Sequence, residues 1–193
     1  MLGLLQRLRV WLFRLSWRGT RIEIGQGVRF LAPVRISGRG RVLIADRVTF
    51  GHEKSPYFYS HYILLDARSA DAVIRIGDGC LIGNGCSVIA FDSSVTIGPD
   101  CLLGPQTTIV DTDFHPLDPE LRREKPTSRA VCLGRNITTG FSALILKGVV
   151  LADNCFVGAA AVVTRSSGPD CVLSGSPARA RPWRAEHSDS AAR

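Results

Sequence analysis

The sequence predicts an all-β fold, a stack of short strands built from an internal repeat, and three observations carry that prediction. An aliphatic residue followed by glycine or another small residue returns every six positions over long stretches of the chain. The composition suits short strands joined by tight turns, with 19 glycines and many small branched residues against 8 Phe, 3 Tyr and 3 Trp. At 193 residues and 45% hydrophobic, the chain is one domain in length and can fill a core without disulfides or metals.

The repeat is clearest in three runs. IGDGCL begins at Ile76, IGNGCS at Ile82 and VIAFDS at Val88; IGPDCL begins at Ile97, LGPQTT at Leu103 and IVDTDF at Ile109. An unbroken series then starts at Leu133, Thr139, Ile145, Leu151, Val157 and Val163, and weaker copies begin at Ile24, Phe30, Ile36 and Ile44. The aliphatic residue of each hexad faces inward, the small residue follows at a corner, and a second inward position comes four residues on. Cys80, Cys86, Cys101 and Cys155 occupy that second position. With no C-x-x-C pair among the six cysteines, they read as buried small hydrophobes in a reducing compartment.

Interruptions of the period mark what leaves the stack. The interval from Val88 to Ile97 is nine residues instead of six, so residues 91–93 must bulge. From Ile109 to Leu133 it is twenty-four, and the intervening text is charged and proline-bearing, which predicts an excursion loop over 111–131. A second insertion, placed at 51–73, separates the weak early repeats from the strong later ones.

Residues 1–21 form the expected N-terminal basic amphipathic helix. Leu4, Leu5, Leu8, Trp11, Leu12 and Leu15 fall on one face, and Arg7, Arg14 and Arg18 on another. The apolar run from Val10 to Phe13 is too short for a signal-peptide core or a membrane span, so a cytoplasmic location is expected. Two roles fit the helix: a peripheral contact with the inner membrane surface, or a cap on the end of the stack. Residues 184–193 read as a flexible tail, leaving 22–183 as the repeat domain.

The net charge of +7 is concentrated at the chain ends, with five arginines before the first acid, Glu23, and Arg179, Arg181 and Arg184 near the C-terminus. No basic stripe with interleaved aromatics accompanies it, so nucleic acid is not expected as a partner. Phosphates of a small cofactor or of a lipid surface fit better.

Over residues 22–183 the hexads resemble those of the hexapeptide-repeat acyltransferases. The resemblance implies a left-handed parallel β-helix, three hexads to a triangular coil. From Asn84 to Pro177 the text is similar to the maltose and galactoside O-acetyltransferase branch, whose general-base histidine sits in the motif found here as His115-Pro116 at the start of the excursion loop. It implies acceptor-contacting roles for Asn84 and Asp92, and a backbone amide at Phe141, after Gly140, facing the thioester oxygen. Ala160 would line the pantetheine slot, and Thr164, Arg165 and Arg179 would take the nucleotide end of CoA. The implied activity is acetyl-CoA-dependent O-acetylation of a saccharide hydroxyl in cell-surface polysaccharide or lipopolysaccharide assembly, by a homotrimer with sites between subunits. The imidazole would remove the hydroxyl proton during attack on the thioester.

The chain departs from that branch at Thr138, Thr139, Gly140 and Phe141, and in the Arg-rich helix that replaces an acidic helical module. Alternatives on the same fold are an N-acyltransferase acting on an amino sugar, a serine O-acetyltransferase, and a catalytically silent scaffold. No metal is expected. A zinc hydrase would need three imidazoles on one rung, and His52, His61, His115 and His187 lack that spacing.

Overall fold

The computed structural model describes residues 3–17 and 19–183. Arg18, Arg184, His187 and the expected tail over 184–193 lie outside the described residues. The hexads wind into six triangular coils of parallel strands, preceded by one helix, α1 (Leu4–Arg14).

Coil one is β1 (Arg21–Ile24), β2 (Arg29–Phe30) and β3 (Val34–Gly38); coil two is β4 (Arg41–Ile44), β5 (Thr49–Phe50) and β6 (Ile63–Ala67). Coil three is β7 (Val73–Ile76), β8 (Leu81–Ile82) and β9 (Ser87–Ala90); coil four is β10 (Ser94–Ile97), β11 (Leu102–Leu103) and β12 (Thr108–Val110). Coil five is β13 (Val131–Leu133), β14 (Thr138–Thr139) and β15 (Leu144–Ile145); coil six is β16 (Val150–Leu151), β17 (Phe156–Val157) and β18 (Val162–Val163). A hairpin of β19 (Cys171–Gly175) and β20 (Ala178–Pro182) closes the far end on the second face. The first, second and third strands of each coil stack into the first, second and third faces. The front edge joins the third face to the first, and the rear edge joins the second to the third.

Inward residues form columns with parallel rungs about 4.8 Å apart. On the first face Ile44, Ile76, Ile97, Leu133 and Leu151 are in register; on the third, Leu65, Val88, Ile109, Ile145 and Val163 are. All of these are buried. The corner residues follow from the same stacking. A Cβ on Gly98 would meet the Gly134 carbonyl oxygen at 2.3 Å, so the coil above excludes any side chain there. Two residues on, Asp100, Gln106, Asn136 and Asn154 have φ near +60°, the conformation that the third residue of a type II turn requires.

The expected bulge at 91–93 lies between β9 and β10, and the excursion leaves after β12 and returns at Val131, already the first residue of β13. The second insertion is shorter than its sequence span suggests. Residues 63–67 are β6, with Ile63, Leu65 and Ala67 buried in the third-face column, so only 51–62 loop out, at the rear edge.

Thr139 stands where the repeat calls for an aliphatic residue, and its hydroxyl is satisfied inside the core. Gly104 N donates to Thr139 Oγ1 at 3.0 Å, the two threonine hydroxyls lie 2.6 Å apart, and Thr107 Oγ1 donates to the Gly104 carbonyl at 2.8 Å. Thr107→Val strands the Thr139 hydroxyl proton and is expected to cost about 1–3 kcal/mol in denaturant unfolding. The double variant with Thr139→Val should cost less than that single change, because both polar groups leave together.

Cys80, Cys86, Cys101, Cys155 and Cys171 are buried and only Cys132, on the outside of β13, is exposed. Burial pushes the Cys86 thiol up to about 12. Native-state labelling with a maleimide is therefore expected to add one adduct, at Cys132, and unfolding in denaturant to add five more, counted by mass spectrometry.

Candidate active site

The excursion loop is built onto the front edge by residues to which sequence reasoning assigned no role. Asp111, fully buried, accepts from the amides of Phe91 at 2.7 Å, Ser93 at 2.8 Å and Asp92 at 3.4 Å. One carboxylate thus shapes the bulge of coil three from the first residue of the loop of coil four. Lys147, whose side chain is 13% exposed, pairs with Asp113 and donates to Thr127 Oγ1 at 2.8 Å, so a single ammonium ties the outgoing and returning arms together. Thr112 caps the turn by accepting from Phe114 N at 3.1 Å. No local pattern marks them: Asp111 and Lys147 are each the third residue of a hexad, IVDTDF from Ile109 and ILKGVV from Ile145, and both fall at the front edge where the chain leaves the repeat.

His115 is exposed on this loop. Its Nδ1 lies 3.4 Å from the Arg122 carbonyl oxygen, which can only accept. In the neutral ring a proton on Nδ1 satisfies that oxygen and leaves the lone pair of Nε2 to a substrate. Beside it, the Arg68 guanidinium sits 5.4 Å from the ring centroids of both Phe91 and Phe114, and Asp66 holds it through Nε and Nη2 at 3.0 and 2.8 Å. Asp92, in the bulge, pairs with Lys125 of the loop at 2.5 Å. A cavity of about 400 Å³ lies here, lined by Arg39, Arg68, Asp71, Phe91, Asp92 and Lys125.

Asn84 lies on the rear edge and is buried. Its Nδ2 donates to the carbonyls of His52, Ser55 and Pro56 at 3.0, 3.1 and 2.8 Å, and its Oδ1 accepts from His52 N at 3.0 Å. The amide group is thus fully engaged in holding the loop at 51–62.

Gly140, Phe141 and Ala160 stack on the same rear edge, where Ala160 N donates to the Phe141 carbonyl at 2.7 Å. The Phe141 ring is exposed, and its amide donates to no other group among the described residues. Gly140 lacks a side chain for a reason internal to the fold: a Cβ there would meet Ala159 N at 2.6 Å. Arg179, in the closing hairpin, is exposed beside the same edge, whereas Thr164 and Arg165 follow β18 on the front edge, also exposed. Neither Arg165 nor Arg179 has a carboxylate partner among the described residues, and Arg179 Nη1 donates to the Pro177 and Ala178 carbonyls at 3.4 and 3.1 Å.

The site residues therefore divide. Asp92, His115, Thr164 and Arg165 lie on the front edge, and Asn84, Gly140, Phe141, Ala160 and Arg179 on the rear edge. The third face separates them, at its widest a strand of five residues, roughly 16 Å across. His52 and His61 lie in the rear-edge loop and His115 on the front edge, so the three described imidazoles share no rung.

No protein-family profile matches the chain. It is 36% identical over 92 residues to the galactoside O-acetyltransferase of Escherichia coli (strain K12), a match covering 47% of this chain and 45% of that one. It is 40% identical over 109 residues to nodulation protein L of Rhizobium meliloti (strain 1021), covering 56% and 58%. Among solved structures it superposes on the polysialic acid O-acetyltransferase OatWY with a TM-score of 0.68 and 26% identity, covering 84% of this chain and 74% of that one. Its left-handed parallel β-helix fold is shared with that structure and with a hexapeptide-repeat acetyltransferase from Vibrio cholerae, on which it superposes with a TM-score of 0.59 and 22% identity, covering 93% of this chain and 81% of that one. It spans about half the length of the curated relatives it matches.

The Lys125 ammonium beside Asp92 holds its carboxyl below the ordinary value of 3.8. A depressed carboxylate contributes its stabilisation above the ordinary value and loses it as pH falls through the lowered one, so the Asp92–Lys125 tie holds throughout the neutral range. Lys125→Ala is expected to move the Asp92 titration back up toward 3.8, read from carboxyl chemical shifts; an unmoved titration would show that Lys125 does not set it.

Proposed function

We propose that the protein is an acetyl-CoA-dependent O-acetyltransferase that acetylates a saccharide hydroxyl, with His115 as general base, and that its sites form between subunits of a homotrimer. The observation that carries this reading is the division of the site residues between two edges flanking one face. A base must come within about 3.2 Å of the proton it removes. His115 therefore cannot act on a group held at Phe141 of its own chain, whereas the front edge of one subunit set against the rear edge of the next brings the two together. A heterologous contact of this kind closes as a ring, and three copies close it for a prism.

Two surfaces support that assembly. The tip of the excursion loop presents Leu117, 88% exposed. On the second face the outward side chains of Leu102, Thr138 and Phe156 stack in register beside the rear edge, with both Leu102 and Phe156 more than 40% exposed.

The chemistry follows from the groups present. His115 Nε2 accepts the proton of the attacking hydroxyl, and the Phe141 amide donates to the carbonyl oxygen as negative charge develops on it. The Arg122 carbonyl holds the imidazole in the tautomer this needs, and Asp92, steadied by Lys125, is placed to accept from an acceptor hydroxyl. Asn84 acts on the acceptor side through the loop it holds. Bound acetyl-CoA supplies the activated acyl group, and Arg165 and Arg179 are the cations available to its phosphates. A saccharide of cell-surface polysaccharide assembly is the acceptor class we favour, supported by similarity to enzymes named for galactosides and polysialic acid.

His115→Ala is expected to lower kcat by about 10² to 10⁴ with little change in KM for acetyl-CoA, followed by CoA thiol release over a panel of saccharides. Unchanged turnover would remove the mechanism. Mixing His115→Ala subunits with Ala160→Trp subunits, each inactive alone, should restore activity through junctions that pair an intact front edge with an intact rear edge. No recovery in verified mixed trimers would show that each chain holds its own complete site.

A further inference from the structure

The helix α1 is attached to the β-helix by the side opposite its apolar stripe. Gln6, buried, donates to the carbonyls of Leu31 and Phe58 at 3.2 and 3.0 Å, and Arg9 bonds the Gln6 side chain at 2.8 Å and the His61 carbonyl at 3.3 Å. Phe13 packs on Tyr62 at 5.3 Å between ring centroids, and beyond the helix Trp17 packs on Phe30 and donates to the Val34 carbonyl at 2.8 Å. Residues 6, 9, 10, 13 and 17 fall together on a wheel of about 100° per residue. Leu4, Leu5, Leu8, Trp11, Leu12 and Leu15 occupy an arc roughly 120° wide, centred on the far side. All six are between 48% and 82% exposed.

A stripe of that size would ordinarily be the side that docks. Here docking already has its own residues, and the stripe is presented outward, held by four anchoring side chains, Gln6, Arg9, Phe13 and Trp17. Its flank is basic: Arg7 borders it, while the Arg14 guanidinium turns onto the Trp17 and Phe30 rings at 5.4 and 5.3 Å; the helix carries no acid, and none occurs before Glu23. At 11 residues the helix is about 16 Å long, too short to cross a bilayer, and no helix among the described residues is long and apolar enough to do so.

We propose that the outward face of α1 is a docking surface for an anionic lipid bilayer, with Leu4, Leu8, Trp11, Leu12 and Leu15 in the headgroup region and Arg7 at the phosphates. The charge argues for lipid over a second copy of the chain. Two such helices face to face would oppose arginines with no acid to pair them, whereas a surface of anionic headgroups neutralises them. The inference stands on α1 alone and is independent of the proposed activity.

The test is co-sedimentation of the full chain with phosphatidylcholine vesicles and with vesicles containing phosphatidylglycerol. Binding to the anionic vesicles is expected, weakened by salt, lowered about fivefold by Arg7→Ala and lost in Leu8→Glu/Leu12→Glu. That variant should keep its circular dichroism and its solution mass, because neither side chain contributes to the core. Failure of the parent protein to sediment with anionic vesicles would overturn the proposal. So would unimpaired binding by the double variant, or a drop in its solution mass, which would identify the face as a contact between copies.

Discussion

The structure depends on one steric constraint: successive coils of a triangular prism lie about 4.8 Å apart, and the interior is one side chain deep. Each inward position therefore has a fixed neighbour above and below, and each corner has backbone where a Cβ would otherwise go. A Cβ added at the Gly98 corner would lie 2.3 Å from the next coil's carbonyl oxygen, and one at the Gly140 corner 2.6 Å from the next coil's amide nitrogen, which shows how little tolerance is left. The repeat in the sequence is the chemical record of that constraint. Where it is broken inside the prism, as at Thr139, a second broken position at Thr107 compensates within hydrogen-bonding distance.

A core this regular leaves no interior room for a binding site, so variation goes to the edges. Both long insertions leave at corners, 51–62 at the rear edge and 111–130 at the front. Each is secured by one buried polar residue of the prism, Asn84 for the first and Asp111 for the approaches to the second. The price of placing function on edges is separation, since two edges of one prism cannot converge on one substrate. The proposed assembly between subunits would resolve that separation without any change to the repeat.

The hexad spacing made the fold legible before any coordinate was known, including the bulge at 91–93 and the exit after coil four, because a six-residue period is a local property of the chain. The insertion at 51–73 was read too long, since ILLDA carries none of the glycine punctuation that marks the later repeats. Its membership of the third face follows only from pairing with β3 and β9. The His-Pro motif marks His115 as a candidate. Asp111 and Lys147 carry no such mark, because their importance lies in contacts 18–34 residues away along the chain, across the loop and the neighbouring coil.

The sequence by itself determined the period, the inward columns, the burial of the cysteines at the second inward slot and the amphipathic character of the N-terminal helix, all of which follow from side-chain spacing along a regular backbone. Only the tertiary structure decided which side of α1 meets the protein, because that depends on the unpaired carbonyls of coil one and on the aromatic surface of Phe30 and Tyr62. It also decided that the candidate site residues stand on two separate edges. Spacing places a residue on a rung, but only the winding of the chain assigns that rung to a face and an edge.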